Sequence, residues 1–159
     1  MRTGSAATPP PGHISLQEIR PDDLPILFAQ QRDPVANSMA AFPAREEDGF
    51  MAHWTKILAD PTVIARTVLL DGQVAGNVVS FKHEGHREVG YWFGREFWGR
   101  AVATRALSAF LGLVPERPLY AGVAPHNAAS IRVLEKCGFT VTGQEDGGDV
   151  VLRLDDPAR

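Results

Sequence analysis

The sequence predicts one small α/β (α+β) domain, a mixed, twisted sheet of six to seven strands with helices on both faces. Three observations predict it. Strand-like and helix-like segments interleave along the chain. A strand–helix–strand unit at 88–123 reads as a crossover, which places two strands parallel, whereas Asp71-Gly72 between two strand-like runs marks an antiparallel hairpin. Finally, 159 residues fit one hydrophobic core and leave little room for two.

Taken in order, Ile14–Arg20 alternates Ile14, Leu16 and Ile19 with polar residues, as a first strand does. Pro21, followed by Asp22 and Asp23, opens a helix to about Gln31. Arg32–Ala44 reads as an irregular or short helical link. Glu46–Asp60 is helical in pattern, with Phe50, Met51, Trp54, Ile57 and Leu58 on one stripe. Beyond Pro61, Val63–Leu70 is rich in β-branched residues. Gln73–Lys82 and Glu88–Gly94 complete a meander, joined by a polar turn over His83-Glu84-Gly85-His86-Arg87. Gly99–Leu113 is an amphipathic helix with Val102, Ala106, Leu107, Phe110, Leu111 and Val114 on one face. Pro118–Val123 is a short apolar strand and Asn127–Cys137 a second helix, ended by Gly138. Phe139–Gly143 and Asp149–Leu154 form a last strand pair around a turn at 144–148.

Composition narrows the function. A net charge of −3 gives no electrostatic case for nucleic acid as a partner, and no apolar run approaches the ~20 residues that span a bilayer. One cysteine, Cys137, forms no intrachain disulfide, and a cytoplasmic, reducing location is the simplest reading. Residues 1–13 carry three consecutive prolines and lack the hydrophobic core of a secretory signal. They are expected to form a flexible tail before a domain over 14–156.

The informative stretch is Glu88–Leu107. Its strand is followed by an aromatic turn and then by Gly99-Arg100-Ala101-Val102-Ala103-Thr104, with tiny side chains at a helix start. The first N–H groups of a helix have no internal partner and carry partial positive charge. Small side chains let a diphosphate approach them, and Arg100 adds a full charge. Small residues at such a turn also serve close packing alone. In Ala124–Phe139, Asn127 is a good N-cap whose amide alternatively binds a ligand. Ser130 shares its helical face, either solvated or donating to a leaving thiolate.

Together these stretches resemble the GNAT superfamily of N-acetyltransferases, and most closely the branch that acetylates N-termini of ribosomal proteins. The family's pyrophosphate motif, Gln/Arg-x-x-Gly-x-Gly/Ala, is similar to Trp98-Gly99-Arg100-Ala101-Val102-Ala103. The branch's Asn-x-x-Ser-x-x-(Val/Leu)-x-Glu-Lys-x-Gly-Phe is matched at Asn127, Ser130, Glu135, Lys136, Gly138 and Phe139. The resemblance implies a central parallel strand pair that splays around acetyl-CoA as cosubstrate, with no metal. Its pantetheine arm would lie on the strand at Tyr91, Trp92, Phe93 and Gly94. Its pyrophosphate would take backbone N–H groups from Gly99, Arg100, Ala101, Val102, Ala103 and Thr104, beside Trp98, and Asn127 and Ser130 would contact the cofactor. The partner would be an amine, a peptide N-terminus or a small molecule, entering across Arg32–Trp54 and the last hairpin. Many relatives dimerise, so a homodimer stays open.

Two departures stand out. The usual central glycine is Ala101, expected to adopt helical dihedrals, and the tyrosine that serves many relatives as general acid falls at Leu134. Thus Ser130 or solvent would protonate the thiolate. The amine needs a base or a water chain, and Glu88 at the start of the central strand is the first candidate, against an exposed strand-end carboxylate. An oxyanion donor is expected from the backbone around Tyr91–Phe93. The cluster His83, Glu84, His86 is read as a hairpin tip, not a metal site. His126 is read as a loop residue, Cys137 as an inert buried thiol, and Phe50 and Trp54 as core. Transfer of a longer acyl group, or a non-catalytic acyl-CoA-binding module, are the alternatives.

Overall fold

Local signals set most of the elements. The computed structural model describes residues 12–146 and 148–156. The tail expected over residues 1–13 lies outside the described residues up to residue 11. His13, by contrast, is tied to the domain: its N–H donates to the Asp71 carboxylate at 2.8 Å, and its C=O accepts from Asp71 N–H at 2.9 Å.

The first strand, β1 (Ile14–Gln17), is shorter than expected. Arg20 N–H goes to the buried Asp23 carboxylate (2.9 Å), which also accepts from the Thr67 hydroxyl (2.7 Å), so the chain turns before Pro21. A single 3-10 turn at Pro21–Asp23 then leads into α1 (Leu24–Gln31), where a single helix from Pro21 was expected. Pro25 lacks an N–H and fits only a first helical turn, which sets the later start. The link holds a short helix, α2 (Pro34–Ala40), whose start Asp33 caps through Val35 N–H at 3.0 Å. Helix α3 (Glu47–Ala59) follows.

Strands β2 (Ile64–Leu70) and β3 (Gln73–His83) meet at Asp71-Gly72, with φ of 50° and 82°, as a two-residue turn of the I′ kind requires. The next turn differs from expectation. Glu84 and Gly85 alone make it, at φ 50° and 83°, so His83 and His86 pair as the last rung of β3 with β4 (His86–Phe93). Arg87, expected in that turn, lies buried on β4 and donates to Glu116 (2.9 Å), the Ser80 hydroxyl (3.1 Å) and Thr62 C=O (2.9 Å). The remaining elements are α4 (Val102–Leu111), β5 (Leu119–Val123), α5 (Ala128–Lys136), β6 (Thr140–Gln144) and β7 (Val150–Leu154).

Within the described residues the seven strands form one sheet in the order β1-β2-β3-β4-β5-β7-β6. Every neighbouring pair is antiparallel except β4 and β5, the pair that flanks the crossover. One face is covered by α4 and α5, through Val102, Ala106, Leu107, Phe110 and Leu134 on Val78, Val89 and Phe93. The other is covered by α1 and α3, through Leu27, Phe50 and Trp54 on Ala65. Phe50 and Trp54 are thus core residues, whereas Leu58 from the same predicted stripe is exposed.

A register shift interrupts the pairing of β3 with β2. Val68 pairs with Gly76 but Leu69 pairs with Val74, so Ala75 is an extra residue, a bulge. Gly76 is needed there, since a Cβ would come within 2.2 Å of the Trp92 carbonyl.

Candidate active site

The site begins where β4 and β5 part. They pair only at Arg87 with Leu119 and Glu88 with Tyr120, and from Val89 onward the β5-facing edge of β4 has no strand partner. A wedge therefore opens toward the C-terminal ends of both strands. Strand alternation decides what points into it. Gly94 N–H bonds to Ala75 C=O on the β3 side, so the N–H groups of Tyr91 and Phe93 face the wedge. The Trp98 indole N–H donates to Phe93 C=O at 3.1 Å, which occupies that carbonyl and leaves the main chain of Tyr91 as the open rung.

Beyond the wedge lies the loop before α4. Gly94 is buried and followed by a 3-10 turn at Arg95–Phe97 that seats Phe97 in the core. Gly99 takes φ 74°, Ala101 takes φ 58° and ψ 16°, and α4 starts only at Val102. Two expectations are corrected here. The helix begins three residues later than Gly99, because Gly99 and Ala101 are left-handed. Ala101 does not adopt helical dihedrals either: it holds the left-handed conformation in which a glycine carries no penalty. The first intrahelical bond runs from Arg105 N–H to Ala101 C=O at 3.1 Å. The N–H groups of Val102, Ala103 and Thr104 thus precede the ladder, and no side chain caps them. Arg100 is exposed, with its guanidinium 5.7 Å from the Phe97 ring centre.

The two faces of β4 carry different chemistry. On the α1–α3 face, Glu88 is followed at alternate positions by Gly90 and Trp92. Burial pushes the Glu88 carboxyl above its ordinary value of 4.5; Glu145 and Glu84 add to that, while His83 and His86 oppose it. Trp92 donates its indole N–H to Gln30 C=O (3.0 Å), and Phe42 meets it edge-on at 6.0 Å. Asp149 lies over Gly122 of β5, where a Cβ would meet its carboxylate at 3.3 Å.

On the α4–α5 face, the Tyr91 hydroxyl sits 2.6 Å from Ser130 Oγ and 3.3 Å from Ser130 C=O. Burial raises the Tyr91 phenol to about 12, against the lowering effect of its bond to Ser130. Asn127 caps α5, its Oδ1 accepting from Ser130 N–H at 3.2 Å, so its Nδ2 is the half of the amide that the cap does not use. Leu134 is 1% exposed and belongs to the core. Cys137 ends α5, its thiol donating to Thr104 C=O at 3.5 Å and raised by burial.

The structure therefore joins Tyr91 to Ser130, whose main chain Asn127 caps, on one face of β4, and places Glu88 on the other face at the last β4–β5 rung, with Gly99–Thr104 in the segment that leads from β4 into α4. From the sequence, Tyr91 is expected to contribute its main chain; its side chain is a further member of the site. Alternation along β4 would have placed that side chain with Val89 and Phe93, facing α5. His126, read as a loop residue, bonds through Nε2 to Ser38 C=O at 2.9 Å, tying α2 to the loop after β5. His83, Glu84 and His86 do not gather as a metal site: among the described residues no group of three His, Cys, Asp or Glu could hold an ion. Nor, among them, is any helix long and apolar enough to cross a membrane.

A family model described as an acetyltransferase (GNAT) domain matches residues 13–140. The sequence has no match among curated proteins. Similar solved structures include an acetyltransferase from Agrobacterium tumefaciens (TM-score 0.78, 19% identity, 98% of this chain and 100% of that one). An aminoglycoside acetyltransferase AAC(6')-Ib in complex with coenzyme A and kanamycin aligns with TM-score 0.76 at 17% identity, over 90% and 95% of the two chains. A spermidine N-acetyltransferase chimera from Vibrio cholerae aligns with TM-score 0.75 at 18% identity, over 89% and 95%. At these identities the likeness is one of fold.

Proposed function

The chain belongs to the GNAT acetyltransferase family, and from that premise we propose that it transfers an acetyl group from acetyl-CoA to a primary amine by direct attack. The observation that carries the proposal is the wedge, a strand pair that parts after Glu88 and Tyr120, together with three uncapped N–H groups at the start of α4, the helix that follows β4.

The residues fit acetyl-CoA, whose thioester supplies the acetyl group. An extended arm could pair with the open main chain of Tyr91 as an added strand would. Its diphosphate would take the N–H groups of Val102, Ala103 and Thr104, with Gly99, Arg100 and Ala101 shaping the approach and Trp98 closing the loop onto Phe93. The Nδ2 of Asn127 would reach the arm from the β5 side.

Glu88 and Ser130 stand on opposite faces of β4, which suits attack from one face and departure toward the other. Glu88 would take the proton of the incoming amine, directly or through water, since three residues of strand separate it by ~10 Å from the level of Tyr91. Its raised carboxyl makes it a better base near neutrality than an ordinary glutamate. Ser130 would hydrogen-bond the departing thiolate, and Leu134, buried in the core, leaves that role to it. The N–H of Tyr91 would meet the negative charge that builds on the thioester oxygen.

The acceptor would approach from the α1–α3 face, past Phe42, Trp92 and Asp149. A peptide N-terminus fits the resemblance to the ribosomal-protein branch, and a small-molecule amine fits the same opening. A cytoplasmic setting suits the single thiol, and a homodimer is compatible with the exposed strand β6. Release of free thiol from acetyl-CoA, measured over a panel of peptides and small amines, tests the reading. Turnover with at least one acceptor is expected. Tight CoA binding with no turnover on any amine would favour a non-catalytic acyl-CoA-binding module instead.

A further inference from the structure

We propose that Tyr91 is a positioning residue: its phenol holds the Ser130 hydroxyl so that the serine hydrogen points into the wedge, at the sulfur of the acyl donor. This rests on the reading above, in which Ser130 meets that sulfur.

Tyr91 Oη lies 2.6 Å from Ser130 Oγ and 3.3 Å from Ser130 C=O. The phenol carries one hydrogen and is the more acidic of the two hydroxyls, so that hydrogen goes to the nearer acceptor, Ser130 Oγ at 2.6 Å, and the carbonyl at 3.3 Å is the secondary contact. Ser130 Oγ then accepts, and among the described residues its hydroxyl makes no bond besides the one with Tyr91. A helical serine ordinarily turns its hydrogen back to a carbonyl one turn earlier. Here the accepting contact from Tyr91 favours turning it outward instead. Three features keep the arrangement in place. Tyr91 lies three residues beyond the last β4–β5 rung, at the open part of the wedge. Its ring packs 5.8 Å from Phe93. Asn127 fixes the main chain of Ser130 from the other side at 3.2 Å. Burial keeps the phenol protonated throughout the neutral range, so it remains a donor.

A serine hydrogen aimed at sulfur stabilises thiolate over thiol. The test compares calorimetric affinity for CoA with that for desulfo-CoA, which lacks the sulfur, as pH rises through the thiol range, ~8 to 9. The proteins are the wild type, Tyr91→Phe, Ser130→Ala and the double variant. In the wild type, CoA should gain about tenfold over desulfo-CoA across that range, the size of a hydrogen bond to a charged group. Tyr91→Phe and Ser130→Ala should each abolish most of the gain, and the double variant should lose no more than Ser130→Ala alone. Desulfo-CoA affinity should stay within about twofold in all four, as expected for contacts that are not touched. No CoA binding at all would overturn this inference and the proposed function together. A gain retained in Ser130→Ala would overturn the role of Ser130 and, with it, that of Tyr91. A gain lost in Ser130→Ala but kept in Tyr91→Phe would overturn the inference about Tyr91 alone. Loss of desulfo-CoA binding in Tyr91→Phe would make the phenol a scaffold, not a positioning group.

Discussion

Ala101 offers a perturbation whose sign depends on one dihedral. At φ 58° and ψ 16° it sits exposed at the N-cap of α4. A left-handed alanine costs ~1–2 kcal/mol, which Ala101→Gly removes. The glycine also loosens the unfolded chain, a loss of ~0.4–1 kcal/mol. The difference predicts a net gain of about 0.5–1 kcal/mol, or ~1–4 °C in Tm for a chain of this size. Urea denaturation of both proteins, at unchanged slope, measures it. An alanine in right-handed backbone behaves oppositely, losing ~0.5–1 kcal/mol on replacement by glycine. A destabilised Ala101→Gly would therefore refute the left-handed turn and the shape of the loop it builds. CoA affinity of the variant should be equal or higher, because a methyl group beside the helix N–H groups is gone.

Glu88→Gln should lower kcat/KM by about 100-fold or more, the range of a general base, and remove the rise in activity with pH above 4.5 expected of the wild type. Its stability profile has a definite sign. The folded carboxyl is raised, so the unfolded chain ionises first, and wild-type stability falls as pH climbs from 4.5 through the folded value. Glu88→Gln should flatten that fall, as thermal melts between pH 4 and 8 would record. Gly76→Ala should cost about 1–3 kcal/mol, as overpacking does, because its Cβ would press on the backbone carbonyl of Trp92 and not on a movable side chain. Chemical denaturation measures that loss, and a near-neutral result would contradict the bulge at Ala75.

Local chemistry was legible in the sequence. Asp71-Gly72 carries its own turn type, and Asn127 and Gly138 bracket α5 because caps are written in neighbouring residues. The crossover at 88–123 gave the parallel pair. What escaped depended on tertiary context. Glu84-Gly85 makes a turn as tight as Asp71-Gly72, yet flanking histidines and Arg87 made the segment look polar throughout. Only the fold reveals that Arg87 is buried against Glu116, Ser80 and Thr62. Ala101 has no residue type that announces a positive φ. The contact between Tyr91 and Ser130 joins residues 39 apart, and the point where β4 and β5 part depends on packing at both ends of the sheet. The candidate site was thus readable as a set of segments, while the faces they present to one another were not.

The central claim is that main-chain donors at the start of α4 hold the diphosphate. Ala103→Pro tests it most directly, because proline in a first helical turn removes an N–H that the helix does not use. Calorimetry should compare acetyl-CoA with acetyl-pantetheine, which lacks the diphosphate, on wild type and variant. The account predicts a loss of about tenfold or more for acetyl-CoA, one charge-assisted bond, with acetyl-pantetheine unchanged. Equal acetyl-CoA affinity in a variant that melts at the wild-type temperature would contradict it.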